Sequence, residues 1–417
     1  MKANGMRMWL REIGLTAVIA AAVILPMFGI RLDSDGGQLS WHTEWLTAFE
    51  FWLGAITLRV AVLVLAKRKF KLFKIKSARR EHKWSIWTGR GLIALALVLP
   101  LLPFVDRRML DIAILLLTYI AMGWGLSIMV GMVGLLDLGY VAFYAIGAYT
   151  FALLAVDHGW SFWETLPVVM ILAATAALLV GGPILRLRGD YFAIVTLGFA
   201  EIVRIVLINF QSLTHGPDGV TGVPRPSFFG LASFSVGDKN LPAFHDWLSI
   251  APDPMHRLMF VYYLLLAFAL GVTLYLGWLR RSALGLAFEA IREDETAAQA
   301  MGVNRPLMKL IAYITAAVIA SIAGAFFAAR QGFVSPESFN ATESFTVLAI
   351  VVLGGMGSRL GVVIATLLLI GLPELFREFA QYRMLAFGLA LMIIMVWRPQ
   401  GLLAQRRPTQ ILESAAE

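Results

Sequence analysis

The chain has 417 residues, of which 59% are hydrophobic and 15% charged, with a mean hydropathy of +0.76. A soluble domain is about 45–50% apolar and about 25% charged, so the composition points to an integral membrane protein and excludes both intrinsic disorder and an extended nucleic-acid module. Cysteine is absent, which excludes a disulfide framework, a thiol nucleophile and a Cys-ligated metal.

A hydrocarbon core about 30 Å thick takes roughly 20 apolar residues of helix, and backbone groups there must be paired internally. Apolar windows fall at 13–30, 46–66, 91–105, 109–134, 138–156, 164–184, 191–209, 259–279, 307–328, 344–357, 360–376 and 384–397. The fold class expected is therefore all-α, a polytopic membrane protein with about 10–12 spans, some of them broken or re-entrant. The first window follows Lys2, Arg7 and Arg11 and exceeds the length of a cleavable signal's apolar region, so it reads as a retained anchor. A strongly basic stretch, 67–90, separates it and the second window from the rest. The organisation expected is a membrane extension over 1–90, a core over 91–405 and a short tail over 406–417. With both termini in the cytoplasm, the inside stretches carry more than twice the Lys and Arg of the outside ones, as the positive-inside rule requires. The basic stretch then lies against anionic lipid headgroups, not a nucleic acid.

Gly131, Gly134, Asp137, Gly139 and Tyr140 interrupt the next apolar stretch. They fit a turn at the cytoplasmic surface, with Asp137 capping a helix from Leu138. They also fit a helix break lining a substrate path. Gly354, Gly355 and Gly357 repeat the pattern before another apolar helix. Glu201 and Arg204, spaced i, i+3 on one helix face, suit a structural ion pair near the outer interface. The outside loop 210–258 opens with a dense run of turn residues, Thr214 to Pro226, which suits either a linker or a rigid cap.

The polar segment Glu289–Gly302 lies inside by the charge count. Ala290, Ala297, Ala298 and Met301 give it an apolar face, Arg292, Glu293, Asp294 and Glu295 are solvated, and Gly302 ends the helix. It is either an ordinary loop or a knob for a cytoplasmic partner. Beyond it, Ala316, Ala320, Gly324 and Ala328 recur every four residues, a groove for close helix approach.

No phosphate-cradling G-x-x-x-x-G-K-[ST], H-E-x-x-H or G-x-S-x-G occurs, and all six His fall in loops or polar stretches. Enzyme chemistry and a metal site therefore have little support.

These residues resemble the LivM-type permease subunits of branched-chain amino acid ABC importers. The similarity runs in order through GMVGLLDLGYVAFYAIGAY (Gly131–Tyr149), LRLRGDYFAIVTLGFAEIVRI (Leu185–Ile205), GPDGVTGVPRP (Gly216–Pro226), Glu289–Gly302, AARQGFVSPESF (Ala328–Phe339), VVLGGMGSRLG (Val351–Gly361) and WRPQGL (Trp397–Leu402). The resemblance implies a non-catalytic subunit that encloses a path with a LivH-like permease. Two cytoplasmic ATPase subunits would hold the ATP and Mg, a periplasmic binding protein would deliver Leu, Ile or Val, and this chain would carry no cofactor. It also implies that Glu289–Gly302 contacts the ATPase. The competing reading is an ion-coupled carrier acting alone, with Glu201, Arg204 and Asp137 as its motors.

Overall fold

In a computed structural model, residues 30–35, 38–43, 49, 52–53, 89, 91–102, 105–187, 189–230, 232, 234, 254–375 and 402–403 are described. The windows 13–30 and 46–66 fall almost wholly, and 384–397 entirely, outside them. The chain divides into two compact units, Met1–Lys83 and Trp84–Glu417. In the first, β1 (Ile30–Asp35) and β2 (Gln38–Thr43) pair antiparallel, Ile30 opposite Thr43 and Asp35 opposite Gln38. This stretch lies between the apolar windows 13–30 and 46–66, where no strand is expected. Its hairpin signal is Gly36-Gly37, a favoured two-residue connection.

The second unit is helical. In chain order come α1 (Gly91–Leu101), α2 (Arg107–Ser127), α3 (Val141–Asp157), α4 (Phe162–Ile184), α5 (Asp190–Asn209), α6 (Pro254–Arg281), α7 (Ala283–Glu293), α8 (Glu295–Ala300), α9 (Arg305–Gln331), α10 (Ala341–Gly354) and α11 (Arg359–Thr366). Among the described residues, five stretches are long and apolar enough to cross a membrane: Arg107–Val133, Phe162–Ile184, Tyr191–Asn209, Met255–Arg281 and Arg305–Gln331. Shorter apolar helices occupy Gly91–Leu101, Val141–Asp157 and Ala341–Gly354. The protein is thus an all-α polytopic membrane protein. The boundaries have local causes. Pro100 sits in the 3-10 turn that ends α1, and Ser161 with Glu164 forms a capping box at the start of α4.

Helix α9 is central and packs on α2, α3 and α4, while α6 packs on α2 and α10 on α2 and α11. The small-residue groove explains the closest of these approaches. Ala316, Ala320 and Ala328 are buried, and a Cβ on Gly324 would fall 2.0 Å from the Tyr144 carbonyl oxygen of α3. Gly147 on α3 reciprocates, since its Cβ would fall 2.0 Å from the Ser321 carbonyl oxygen. Without a hydrophobic force between helices in lipid, such contact is a main source of association. Tyr262 and Tyr263 of α6 donate to the carbonyls of Ala96 and Leu97, at 2.7 and 3.0 Å, and tie α1 to the bundle.

The loop after α5 begins as ordered structure. After one helical turn, Gln211–Thr214, the two-residue strand β3 (Val220–Thr221) pairs with β4 (Phe333–Val334). Gly219 adopts φ 69, and a Cβ there would meet the Val334 carbonyl at 2.2 Å. Trp163 stacks on Phe229 with ring centroids 4.7 Å apart. Residues 214–226 therefore form the rigid alternative, while 235–253 lie outside the described residues.

Candidate functional site: a helix break joined to a polar elbow

Helix α2 passes into a π-helical turn, Ile128–Val133, and stops at Gly134, whose φ of 83 suits glycine. Helix does not resume until Val141. Within the intervening stretch Leu135, Asp137, Gly139 and Tyr140 are buried in the bundle, while Gly134 and Leu136 are exposed. At its near end Gly134 lies against Arg292 of α7. At its far end the Tyr140 hydroxyl donates to the Ala316 carbonyl, 3.1 Å away and near the middle of α9. The seventeen residues of α3 rise only about 25 Å, short of a core about 30 Å thick. The extended stretch makes up the difference.

Non-helical backbone at that depth needs protein partners, and the neighbours supply them. The Leu135 N–H donates to the Met129 carbonyl at 3.0 Å, Leu138 N–H to Thr196 Oγ1 at 3.2 Å, Gly139 N–H to Asp137 Oδ1 at 2.9 Å, and Val141 N–H to Ser344 Oγ at 3.2 Å. The expected surface turn with Asp137 as a cap at Leu138 is corrected here. Asp137 is fully buried, its carboxylate closes a turn onto Gly139, and the α3 N-terminus is satisfied by Ser344 of α10. Gly139 must be glycine, because a Cβ would lie 2.0 Å from the Thr196 carbonyl oxygen. Asp137 Oδ2 and the Tyr313 hydroxyl have no hydrogen-bond partner.

The second glycine run meets the first. Helix α10 ends at Gly354. Gly355 and Gly357 take φ of 101 and 89, and Ser358 caps α11 by accepting from the Gly361 N–H at 3.1 Å. A Cβ on Gly131 would fall 2.7 Å from the Gly357 nitrogen. Backbone touches backbone where the two runs cross. At this end the Leu402 N–H donates to the Leu353 carbonyl of α10 at 2.8 Å.

The polar segment joins this crossing. It is two helices, where one was expected, because Asp294 breaks α7 from α8. The Asp294 Oδ1 accepts from Thr296 N–H at 2.8 Å and Ala297 N–H at 3.0 Å. Those N–H groups, Ala297 first, hold its carboxyl below the usual aspartate value. Glu289 precedes the break on α7, Glu293 is exposed, and Gly302 follows α8 with φ 89. Two expectations about its faces are corrected. Glu295 is not simply solvated: it accepts from the buried Lys309 at 2.7 Å and from Arg305 at 3.3 Å. The inward apolar face is Phe288, Ile291 and Ala298, whereas Ala290 and Ala297 are exposed and Met301 is 86% exposed. Arg292 is not solvated either: its Nη1 donates to the Gly131 carbonyl at 2.6 Å. Arg280, at the end of α6, donates to the Gly357 carbonyl. One guanidinium therefore grips each glycine run.

Glu201 and Arg204 form a bidentate pair, with Nε 3.0 Å from Oε1 and 3.1 Å from Oε2, and both side chains are partly exposed. It stands apart from the break, so Asp137 is not brought together with the pair. The sequence reading missed Thr196, Ser344, Lys309 and Arg280. Lys309 alone left a signal, as a cation inside an apolar helix.

The profile of the family described as "Branched-chain amino acid transport system / permease component" matches residues 108–396. The chain belongs to this permease family. It is 42% identical to the high-affinity branched-chain amino acid transport system permease protein LivM of Escherichia coli strain K12, over 96% of this chain and 97% of that one. It is 43% identical to the LivM protein of Salmonella typhimurium strain LT2, over 95% and 96%. It is also 26% identical to the LivH permease protein of E. coli strain K12, over 69% of this chain and 92% of that one. No solved structure matches the chain. Permease-family membership replaces the carrier acting alone as the reading of this protein.

Proposed function

We propose that this permease conducts branched-chain amino acids across the bacterial inner membrane as one subunit of an ATP-driven importer. A LivH-like permease completes the path, two cytoplasmic ATPase subunits hold ATP and Mg, and a periplasmic binding protein delivers the substrate. The region 91–405 is the transport core, 1–90 a membrane extension and 406–417 a tail. Both termini face the cytoplasm.

The observation that supports coupling is the contact of Arg292 with Gly131. The α7–α8 elbow is the knob that the ATPase grips, through the exposed Ala297 and Met301. Phe288, Ile291 and Ala298 hold the elbow on the bundle, and the Glu295–Lys309 pair fixes it to α9. Displacement of the elbow moves Arg292, and Arg292 moves the π turn at the end of α2. The break 134–140 follows, because its backbone is held by side chains of α5 and α10 and not by an i→i−4 ladder. Gly354, Gly355 and Gly357 move with it through Arg280. The Glu201–Arg204 pair holds α5 and plays no part in conduction.

A charge at the exposed tip of the elbow tests this. Met301→Glu leaves the folded core untouched, since Met301 is 86% exposed. The expected result is loss of co-purifying ATPase together with loss of leucine uptake, with the subunit still inserted at normal levels. Normal association and uptake in that variant count against the proposal.

A further inference from the structure

The opposite end of the bundle carries a cavity that the coupling account does not use. It has a volume of about 50 Å³, and Arg107, Arg225, Arg257 and Arg330 line it with a single acid, Asp111. The four arginines come from α2, the outside loop, α6 and α9, and the charge count places all four outside. Arg330 is paired, its Nε 3.5 Å from Asp111 Oδ1. Among the described residues Arg107, Arg225 and Arg257 make no ion pair, and Arg257 Nε is buried without a hydrogen-bond partner. Arg225 and Arg107 lie close enough to repel Arg257. Arg107 and Arg225 are exposed and screened by water, so the cost of this repulsion falls on the partly buried Arg257 unless an anion joins them. Below them the wall is apolar, with Ile114 and Val261 both buried.

We propose that this cavity receives the carboxylate end of a zwitterionic amino acid on its way into the path. The inference rests on the import function proposed above and names a receiving site for it. A pocket that encloses a whole ligand has roughly 300 Å³ or more, so this one seats one end of a molecule while the rest stays in the open mouth. Guanidinium forks match a carboxylate. Asp111 decides between anions: it repels a phosphate but answers an α-ammonium. The aliphatic wall suits a branched side chain.

The test is binding to the full chain in lipid nanodiscs, measured by equilibrium dialysis with L-leucine, L-leucinamide and isocaproate, which lacks the ammonium. Leucine is expected to bind saturably, and leucinamide about tenfold or more weaker, because it lacks the carboxylate. Arg257→Gln is expected to weaken leucine binding by about the same factor. Arg225→Gln, in a loop, gives the same result if the α6 variant fails to fold. Asp111→Asn is expected to weaken leucine and spare isocaproate. Equal binding of leucine and leucinamide, unchanged binding in both arginine variants, absence of saturable leucine binding, or tighter binding of inorganic phosphate than of leucine would each overturn the site. Leucine uptake in cells carrying the whole importer separates the two ideas. Uptake by the unaltered chain that Arg225→Gln does not change removes the site and leaves the function standing, whereas no uptake by the unaltered chain removes the function itself.

Discussion

Arg292 Nη1 and the carbonyl oxygen of Gly131 lie 2.6 Å apart, although 161 residues separate them in sequence. The bond joins the α7–α8 elbow to the point where α2 loses its helical ladder. It is charge-assisted and partly buried, the kind worth about 1.5–3 kcal/mol. Arg292→Ala is therefore expected to lower leucine uptake by about tenfold while leaving the ATPase bound, because the docking tip is unchanged. Leucine uptake in whole cells and co-purification of the ATPase from the same cells check this. Loss of both together would place Arg292 in the docking surface instead.

Glycine positions at the break and at the α3–α9 crossing admit no side chain. Gly139→Ala sets a methyl about 2 Å from the Thr196 carbonyl, so backbone must shift, at roughly 1–3 kcal/mol or more. Gly147→Ala and Gly324→Ala behave alike. Gly182→Ala, on α4 with nothing near its Cβ, is expected to be neutral or to raise stability by about 1 kcal/mol. Thermal unfolding in detergent ranks the four, and equal melting of Gly139→Ala and Gly182→Ala would refute the packing.

Lys309 is 2% exposed and its partner Glu295 is 30% exposed. Removing the carboxylate strands a buried ammonium. A fully buried pair costs about 3–5 kcal/mol to break in this way, and the partial exposure of Glu295 makes the loss here smaller. Glu295→Ala is expected to destabilise the elbow more than Lys309→Met, which removes the stranded charge along with the pair. Limited proteolysis at α8 reads the difference, and the reverse order would contradict it.

The glycine-rich interruptions, the polar elbow and the apolar windows could all be seen in the residues themselves, because each breaks a hydropathy pattern. Their meeting could not. Gly131 and Gly357 touch through backbone atoms, and no side-chain property advertises a carbonyl that a distant arginine will reach. Asp137 shows the limit most clearly. Its place before an apolar helix reads as a surface cap. Burial is decided by Thr196 and Ser344, which come from helices far along the chain and satisfy the N–H groups around it. The elbow was legible as helical, but its facing was not, since alanine and methionine serve equally well inward or outward. The β1–β2 hairpin escaped notice because its strands alternate too few apolar residues to stand out between apolar windows.

Acid should loosen the elbow at a definite place. The Ala297 and Thr296 N–H groups hold the Asp294 carboxyl below its ordinary value of 3.8. A depressed carboxyl contributes stability that is present above the unfolded value and is lost as pH falls through the folded one. Protection of the amides of 295–300, as the ratio of intrinsic to observed exchange rate at each pH, is therefore expected to stay constant from neutrality downward and to fall only once pH drops below about 4. Asp294→Asn keeps an acceptor at the cap and is expected to abolish the pH step. Protection that falls near pH 6 would point to a different group.

Reconstitution tests the central claim most directly. The chain is placed in liposomes with its partner permease and ATPases, with the binding protein and labelled leucine outside. The account predicts accumulation that requires ATP and the ATPases and that Met301→Glu abolishes. Accumulation by this chain alone, driven by an ion gradient without ATPase subunits, would contradict it.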